Sequence, residues 1–537
     1  MAASISLKSS RGRELSTGAD LVIAELHRYG VRTIFGMPGS HTTHLYDAIH
    51  RHGGIETVLC RNEQAGAFMA DGYARVTGRP GVICTTAGPG ATNALTGIAE
   101  AYSDSVPVLL LTGQVNHDRI HLECGNYHEI DLEAICRPCT AYARTIMRND
   151  DIPSIVANAF HAMTAGRPRP AALICPQDLM AAFAGSTSDG LKNPSPVFPA
   201  NLIDDAAALL RSSRRPIILA GGGAVSAGAA SEIRELAVRL NCPVITTLNG
   251  KGIIDERDPL SLGHGRSVRA RAVLPHADAM LAIGCRFTEV FTWFRNMRVP
   301  DKLVQIDIDR GQIGMNYPAT VGLIGDARHW LGELLGRLPV QASTWGETWT
   351  EAAQLKHPRP EWFIDTLREM LPEDAVVFTD ACEMAVRMQT EYPAYAPRTF
   401  FYPSNYITLG WGFPAAVGAA VAQRDRVTVS VSGDGGFTMT SQELSTAARY
   451  NLKLIAIVHN DSTYGAIKNL QRNKHEARFH DTELVNPEFL TLAKAYGIPA
   501  RRANGGAEFR TALAEAISRD GPSLIEVPDE WRQLRDK

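Results

Sequence analysis

The stretch that decides the fold is VTVSVSGDGGFTMTSQELSTAARYNLKLIAIVHNDSTYGAIKN, residues 427–469 of a 537-residue chain. Its first apolar, β-branched segment predicts a strand that ends at the tetrapeptide GDGG, residues 433–436, and its second predicts a strand that ends at Asn460 and Asp461. Between the two strands we expect a helix that opens near Ser441. Parallel sheets bind ligands beyond the carboxyl ends of their strands, so the polar residues that follow both strands are candidate site residues.

The two aspartates of this stretch, Asp434 and Asp461, each follow a predicted strand. Glycines let a backbone approach a phosphate closely, and the N–H groups of a helix N-terminus favour its negative charge. Neighbouring parallel strands would bring both carboxylates to one edge, where they would repel a diphosphate unless a cation neutralised them. Mg²⁺ prefers oxygen ligands and shares them with phosphates, so it is the predicted metal. The alternative, a plain turn with solvated aspartates, explains the tetrapeptide alone but not the pair.

This GDG to Asn-Asp pattern resembles the cofactor motif of the thiamine-diphosphate family, whose members include acetohydroxyacid synthase, pyruvate oxidase, benzoylformate decarboxylase and oxalyl-CoA decarboxylase. The resemblance implies that Asp434 and Asp461 ligate the metal through their side chains and Thr463 through its backbone carbonyl. Many relatives carry Asn at the position of Asp461, so the charge here is one unit more negative. The resemblance also implies cofactor contacts at Gly88, Asn93, Gly433, Gly435, Gly436, Tyr464 and Gly465.

A second stretch, residues 59–115, carries Glu63 at the end of the short predicted strand ETVLCRN. Taken alone, such a glutamate is usually solvated. The family resemblance covers this whole stretch and places Glu63 against the aminopyrimidine ring, where a carboxyl group in an apolar pocket can share a proton with a ring nitrogen. The resemblance also places Leu409, in YITLGWGFPAAVGAA, between the two rings of the cofactor. A lone leucine is otherwise core packing, so that assignment depends on the resemblance.

The chain is predicted to form three α/β, Rossmann-like domains, each with a parallel sheet flanked by helices. Short apolar strands alternate with helix-length segments in three blocks: TIFGM, GVICTTAG and PVLLLTG in the first, RPIILAGGG, CPVITTL, AMLAIG and LVQIDID in the second, and AVVFTD, RVTVSVSGDGG, LKLIAIVHND and SLIEVP in the third. The domains are expected at 14–183, 200–340 and 358–532, and the family resemblance implies that the first binds the pyrimidine, that the second is a central domain and that the third binds the diphosphate and the metal. Linkers are expected at 183–199 and at 341–360, where periodic apolar residues stop. In the family the first and third domains meet across subunits, so the resemblance implies a homodimer or homotetramer in which one chain supplies Glu63 and another supplies Asp434.

Composition narrows the range of partners. The net charge is −3, with 45% hydrophobic and 21% charged residues, and no local run of Lys and Arg stands out. We therefore expect a small-molecule substrate and neither a nucleic-acid nor a membrane partner. No apolar run reaches the length of a membrane helix, and the basic, Ser-rich first dozen residues lack the apolar core of a secretory signal, so the expected location is the cytoplasm.

The cysteines and histidines predict no structural zinc. Nine cysteines without regular spacing suit a reducing compartment. Cys136 and Cys139 form a single CxxC without a second pair, and His41 and His44 do not fit the HExxH pattern of zinc enzymes. A redox or half-zinc site at CRPC is the less favoured alternative.

The substrate pocket is predicted from positions where the chain departs from acetohydroxyacid synthase. Asn62 precedes Glu63 where synthases usually have His, and GMPGSHTTHLYDAI is similar to the 5-guanidino-2-oxopentanoate decarboxylase group. We expect Ser40, His41, Gln114 and His128 to line the pocket, and His41 to carry protons, because an imidazole titrates near neutral pH. The alternative is that His41 is an ordinary hydrogen-bonded loop histidine.

The central domain and the reaction type remain open from the sequence. AGGGAVSAG after RPIILA resembles a nucleotide-binding turn, but its spacing is not a full GxGxxG. In some relatives this domain holds FAD, in others ADP or CoA, and we expect no obligatory FAD here. The leading hypothesis is acetolactate synthase-like decarboxylation or carboligation of a 2-oxo acid; the alternatives are a 2-hydroxyacyl-CoA lyase or oxalyl-CoA decarboxylase acting on an acyl substrate, and a catalytically silent, cofactor-binding paralogue.

Overall fold

The structure is a computed structural model that describes residues 16–122, 124–184, 201–340, 345–356 and 361–528. The chain divides into two compact units, one made of the first 194 residues with residues 417–419, and one made of the remainder. Three six-stranded sheets are present in the described part, with parallel pairing between neighbouring strands. The predicted fold class, three parallel sheets flanked by helices, is confirmed, while the exact domain boundaries stay predictions.

The first sheet has the strand order β2-β1-β3-β4-β6-β5. Its strands are β1 Thr33–Gly36, β2 Glu56–Leu59, β3 Gly81–Thr85, β4 Val108–Gln114, β5 Tyr142–Thr145 and β6 Ala171–Pro176. Its helices are α1 Gly18–Arg28, α2 Thr43–His52, α3 Glu63–Thr77, α4 Pro89–Asp104, α5 Leu132–Cys136, α6 Ile152–Thr164 and α7 Gln177–Ala181. The central strands β3, β4 and β6 are buried throughout, as expected of strands covered by helices on both faces.

The second sheet has the strand order β12-β11-β10-β7-β8-β9. Its strands are β7 Pro216–Ala220, β8 Val244–Thr246, β9 Ser261–His264, β10 Ala279–Ile283, β11 Lys302–Asp307 and β12 Val321–Ile324. Its helices are α8 Asn201–Arg211, α9 Gly222–Ser226, α10 Ala230–Leu240, α11 Val268–Val273, α12 Ala327–Arg337 and α13 Trp345–Ala353.

The third sheet has the strand order β14-β13-β15-β16-β18-β17. Its strands are β13 Val376–Thr379, β14 Phe400–Phe401, β15 Thr428–Gly433, β16 Leu454–Asn460, β17 Ala500–Arg502 and β18 Ser523–Pro528. Its helices are α14 Trp362–Met370, α15 Glu383–Glu391, α16 Gly412–Ala422, α17 Asp434–Thr440, α18 Leu444–Arg449, α19 Gly465–Lys474, α20 Phe489–Ala495 and α21 Gly506–Ser518.

Two expectations about local structure are corrected. One helix was expected between the two strands, opening near Ser441, but two are present. Helix α17 begins at Asp434, because Gly433 is extended and the two following glycines enter the first turn, and helix α18 begins at Leu444 after a short 3₁₀ turn at residues 441–443. The predicted linker at 341–360 contains helix α13, whose Trp345 and Trp349 are buried in the core of the central sheet. The two indole rings form the apolar face of this helix. The polar residues around them led to the prediction of a linker.

The other predicted linker, at 183–199, falls almost wholly outside the described residues, as does the N-terminal dozen. Within the described residues, no helix is both long and apolar enough to cross a membrane.

Candidate functional site

The carboxyl edge of the third sheet gathers the polar residues predicted to hold the metal. Strands β15 and β16 pair in parallel with Gly433 opposite His459, so Asp434 and the pair Asn460 and Asp461 leave neighbouring strands at the same edge. The convergence expected from the sequence is therefore present in the structure. It follows from parallel pairing, because every strand of the sheet ends at this edge.

Asp434 is buried and its carboxylate is held by amide groups. Asn486 donates from Nδ2 to Asp434 Oδ2 at 2.6 Å and to Asn460 Oδ1 at 3.0 Å, so one amide bridges the two strand ends. Burial raises the pKa of Asp434, while hydrogen bonds from Asn486 and from the backbone of Gly435 and Ser462 act in the opposite direction. The helix N-terminus favours the ionised form of this buried carboxylate, which is the form that can bind a cation.

Asp461 and Thr463 lie in the loop after β16. Asp461 Oδ1 accepts the backbone N–H of Thr463 at 3.0 Å, and the carbonyl of Thr463 accepts the N–H of Gly465 at 2.9 Å. That carbonyl keeps a second lone pair for a ligand. Thr463 is buried, and its Oγ1 has no hydrogen-bond partner within the described ranges.

The glycines of the GDGG turn are required by close neighbours. A Cβ on Gly435 would lie 2.6 Å from Cε1 of Tyr464, and a Cβ on Gly436 would lie 2.8 Å from Oδ2 of Asp380. A Cβ on Gly433 would meet the Cβ of Cys382 at 3.0 Å. The turn thus packs its backbone against side chains from the loops after β13 and β16.

Asp380 is a site residue that the sequence reasoning missed. It follows β13, is fully buried, and accepts the N–H of Ala381 at 2.7 Å and that of Gly410 at 3.1 and 3.0 Å. Burial raises its pKa to about 6, against hydrogen bonds that favour the charged form. Asp380 therefore connects the GDGG turn to the segment that carries Leu409, which is half-buried.

The residues at this edge fit a divalent cation and a diphosphate. Asp434, Asp461 and the Thr463 carbonyl are hard oxygen donors of the kind Mg²⁺ prefers. The buried Thr463 hydroxyl, which has no hydrogen-bond partner among the residues that the structure describes, is a further polar group available to a ligand. The helix that opens at Asp434 directs its first N–H groups toward the same edge.

The first sheet has its own cluster at the carboxyl ends of β2 and β3. Glu63 is the first residue of α3, and its Oε2 accepts a hydrogen bond from Nδ2 of Asn93 at 3.1 Å. The carboxylate lies beside α4, because a Cβ on Gly90 would be 3.3 Å from Glu63 Oε1. The structure thus brings Glu63 and Asn93 together, and Glu63 is half-buried.

His41 is buried at the carboxyl end of the neighbouring strand β1. Its Nδ1 lies 3.2 Å from Oγ of Ser40 and 3.4 Å from Oγ1 of Thr86, and its ring packs 5.5 Å from that of His128 and 5.6 Å from that of Tyr127. Burial lowers the pKa of His41, and the proximity of His128 lowers it further. His41 is therefore a neutral imidazole near pH 7.

His128, in the loop after β4, lies against Gly88, which caps the N-terminus of α4. His128 has a left-handed backbone with φ of 65°, its ring stacks on Tyr127 at 3.8 Å, and a Cβ on Gly88 would lie 2.7 Å from its carbonyl oxygen. Its Nδ1 is buried and has no partner in the described part of the chain. Tyr127 was not predicted; an exposed aromatic ring in a loop gives no periodic signal.

Gln114 is buried at the end of β4 and is engaged by the backbone at both ends of its amide. Nε2 donates to the carbonyl of Ile130 at 3.0 Å, and Oε1 accepts the N–H of Val115 at 2.9 Å. The side chain thereby holds the loop after β4 in place. Of the predicted pocket residues, Ser40, His41 and His128 meet in space, while Gln114 braces the loop behind them.

The glycine-rich turn of the central sheet is filled by backbone. The N–H of Gly223 donates to the carbonyl of Gly284 at 3.1 Å, and a Cβ on Gly221 would lie 2.2 Å from that oxygen. Gly284 has φ of +56°, and its own Cβ would lie 2.4 Å from the Cα of Gly223. These glycines allow two strand ends to touch, so their presence alone does not indicate a nucleotide.

A further cluster with metal-ligand chemistry, His117, Asp118 and Asp178, lies on the first sheet. His117 Nδ1 is 2.5 Å from Asp178 Oδ2, and Asp178 also accepts the backbone N–H of His117 at 2.9 Å. The imidazole ring of His117 and the carboxylate of Asp178 are thus hydrogen-bonded to each other. The CxxC cysteines show similar internal pairing, since the Cys139 thiol donates to the Cys136 carbonyl at 3.4 Å.

Comparison with known proteins agrees with this architecture. Residues 16–135 match the thiamine pyrophosphate enzyme N-terminal TPP binding domain, residues 203–334 the central domain, and residues 380–527 the C-terminal TPP binding domain. The chain therefore belongs to the thiamine pyrophosphate enzyme family, and the predicted use of thiamine diphosphate is confirmed at the level of the family.

Within the family the chain is acetolactate synthase-like. It is 36% identical to a probable acetolactate synthase large subunit of Methanocaldococcus jannaschii, over 95% of this chain and 91% of the relative. It is 33% identical to acetolactate synthase isozyme 3 large subunit of Escherichia coli, over 94% and 92%. It is also 34% identical to a probable 2-ketoarginine decarboxylase of Pseudomonas aeruginosa, over 95% and 94%. The predicted chemistry, making or breaking a carbon-carbon bond beside a carbonyl, fits all three.

Proposed function

We propose that this protein decarboxylates a 2-oxo acid with thiamine diphosphate and Mg²⁺ and either releases the remaining acyl group as an aldehyde, after its carbon takes up a proton, or transfers that group to an acceptor. The observation that supports this most is the oxygen-rich edge at Asp434, Asn460 and Asp461, bridged by Asn486 beside a glycine turn. Relatives that match almost the whole chain are an acetolactate synthase and a probable 2-ketoarginine decarboxylase. The substrate is accordingly a small 2-oxo acid.

The proposed roles follow from the contacts of each residue. Asp434, Asp461 and the Thr463 carbonyl ligate the cation, and Gly433, Gly435, Gly436, Tyr464 and Gly465 line the diphosphate. When bound, thiamine diphosphate supplies a carbon nucleophile and an electron sink. Glu63, oriented by Asn93, holds a proton at the pyrimidine ring, and Leu409 packs between the rings. Gly88 contacts the cofactor through its backbone and allows the loop that carries His128 to lie close to the start of α4.

His41 is proposed to move protons to and from the substrate. Because its pKa is lowered by burial, it is a neutral base at pH 7, and it would lose that form only below its ordinary pKa of about 6.5. His128 and Ser40 contact the substrate, while Gln114 fixes the loop that presents His128. Replacing His41 by Ala while turnover stays unchanged would remove it from this scheme.

The oligomer and the central domain are part of the proposal. The working unit is a homodimer or homotetramer in which Glu63 of one chain and Asp434 of another serve one active site. The central domain needs no bound FAD, since its glycines serve backbone packing; a yellow purified protein would contradict this. A cytoplasmic location suits nine cysteines that form no disulfide bond among the described residues.

The deciding experiment incubates the protein with thiamine diphosphate, Mg²⁺ and, in turn, pyruvate, 2-ketoarginine and an acyl-CoA, while carbon dioxide and products are followed. Release of carbon dioxide from a 2-oxo acid supports the proposal, and cleavage of the acyl-CoA alone would support the lyase. Glu63→Gln should lower kcat by about 10²- to 10⁴-fold, the usual effect of losing a proton-transfer group. Glu56→Gln, at the amino end of β2, the strand that precedes Glu63 in the chain, is the matched control.

Absence of heat on mixing the protein with thiamine diphosphate and Mg²⁺ would favour the silent paralogue. Full activity after both have been stripped away would refute the proposed mechanism.

A further inference from the structure

The loop between β14 and α16 carries a backbone conformation that its sequence does not favour. Ile407 has φ of 57°, in the left-handed region, where a β-branched side chain collides with its own backbone. Such a conformation persists only where the surrounding structure imposes it, and it is concentrated at active sites and ligand clamps. The contacts on either side of Ile407 identify what imposes it.

Two anchors fix the chain around Leu409. The side chain of Ile407 is partly buried and packs against the hydrophobic core of the third sheet. Three residues later, Gly410 is also left-handed, with φ of +84°; its N–H donates to both carboxylate oxygens of Asp380, and its carbonyl accepts Oγ1 of Thr440 at 3.0 Å. Leu409 lies between these anchors and is itself half-buried, so part of its side chain is open to a ligand.

We propose that Ile407 is a positioning residue: with its side chain anchored in the core and its backbone left-handed, it fixes Leu409 where that side chain meets the bound cofactor. The inference rests on the proposed function, which gives Leu409 its place between the two rings. A misplaced Leu409 would leave the rings free to separate, and misplacement of about 1 Å costs about 100-fold in rate.

The test compares Ile407→Gly, which removes both the anchor and the strain, with Ile407→Val, which keeps a β-branched anchor. Ile517→Ala is the matched control, because Ile517 in α21 is also partly buried against the same core but lies outside the loop. Three quantities are measured: amide hydrogen exchange of residues 405–410 in the protein without cofactor, kcat with a 2-oxo acid, and the thermal midpoint.

For Ile407→Gly we expect exchange at least about tenfold faster and kcat about 10- to 100-fold lower, with Ile407→Val close to the parent. Ile517→Ala should lower the thermal midpoint and leave exchange of the loop and kcat unchanged. Unchanged exchange in Ile407→Gly, or faster exchange with unchanged kcat, would overturn the positioning role. Exchange is measured without cofactor, so a parent protein that turns over no 2-oxo acid would refute the proposed function and leave the exchange result to decide the anchoring.

Discussion

The central and the C-terminal sheets each carry a glycine-rich turn after an apolar strand, yet the two turns do different things. After β7, Gly221 and Gly223 pack against the backbone of Gly284, and their N–H groups donate hydrogen bonds to neighbouring carbonyls. After β15, Gly435 and Gly436 press against the side chains of Tyr464 and Asp380, beside the buried Asp434. The first turn joins two strand ends, whereas the second gathers polar groups at one edge. A glycine-rich turn therefore indicates that another group lies close to its backbone. Whether that group is another strand end or a set of polar side chains is shown only by the residues around the turn.

The largest expected effect tests the proposed metal-binding role of the turn after β15. Asp434→Ala removes a proposed metal ligand, so thiamine diphosphate and Mg²⁺ should bind at least about 100-fold more weakly, beyond the 10- to 100-fold that loss of an outer-shell partner costs. Isothermal calorimetry measures this. Asp425→Ala, an exposed aspartate just before the amino end of β15, should bind as the parent does. Equal affinities in the two variants would contradict the metal site.

The second prediction tests the packing role of the turn after β7. Gly284→Ala places a Cβ 2.4 Å from the Cα of Gly223 on a backbone with φ of +56°, and backbone cannot move aside. We expect the free energy of unfolding to fall by about 3 kcal/mol, from overpacking together with left-handed strain. Urea denaturation measures the loss. Folded Gly284→Ala protein should keep its affinity for thiamine diphosphate, and a selective loss of that affinity would mean that the central turn takes part in binding.

The third prediction sharpens the comparison with the matching change at the other turn. Gly436→Ala places its Cβ 2.8 Å from Oδ2 of Asp380, a side chain held by backbone N–H groups. Asp380 must shift, and with it the segment of Leu409, so affinity for the cofactor should fall about tenfold while stability falls by only about 1–2 kcal/mol. The same two measurements apply. If Gly436→Ala lowered the free energy of unfolding but left the affinity for the cofactor unchanged, both turns would serve only backbone packing.

How far the sequence predicts these features depends on the signal that each leaves. The buried strands β7, β10, β13, β15 and β16 were predicted because a strand covered on both faces is an unbroken apolar run. The strands that went unpredicted are mostly the sheet edges β5, β9, β12, β14 and β17, which are short and lack a continuous apolar run; β6 was missed although its run AALICP is apolar. Parallel pairing then brought Asp434 and Asp461 to one edge, as expected.

The residues that complete the site were harder to foresee. Asn486 lies in a loop, and nothing in its local sequence shows that it bridges Asp434 and Asn460. Asp380 did leave a signal, since it is the last residue of the predicted strand segment AVVFTD, but one aspartate at the end of a strand is not distinctive. The engagement of Gln114 by Val115 and Ile130 depends on the path of a loop, which periodicity does not record.

The smallest expected effect concerns the pH dependence of stability in the two sheets. Burial lowers the pKa of His264 in β9 well below its ordinary value and raises that of Asp380 to about 6, so both groups resist charge but with opposite consequences. The unfolded chain takes up a proton at His264 below about pH 6.5 while the folded protein does not, so His264 costs the parent up to about 1.4 kcal/mol per pH unit there. Asp380 binds its proton first in the folded protein, so it contributes stability as pH falls from about 6 toward 3.8.

The opposite pH dependences of these two groups are measured by urea denaturation of His264→Gln and Asp380→Asn between pH 7.5 and 5. Relative to the parent, His264→Gln should gain stability as the pH falls, and Asp380→Asn should lose about 1 kcal/mol by pH 5. His475→Gln, at an exposed position, controls for loss of an imidazole and should change neither slope. Slopes of the same sign in both variants would mean that one of these groups is hydrated in solution. The surroundings of that group would then be more open to water than its burial in the structure implies.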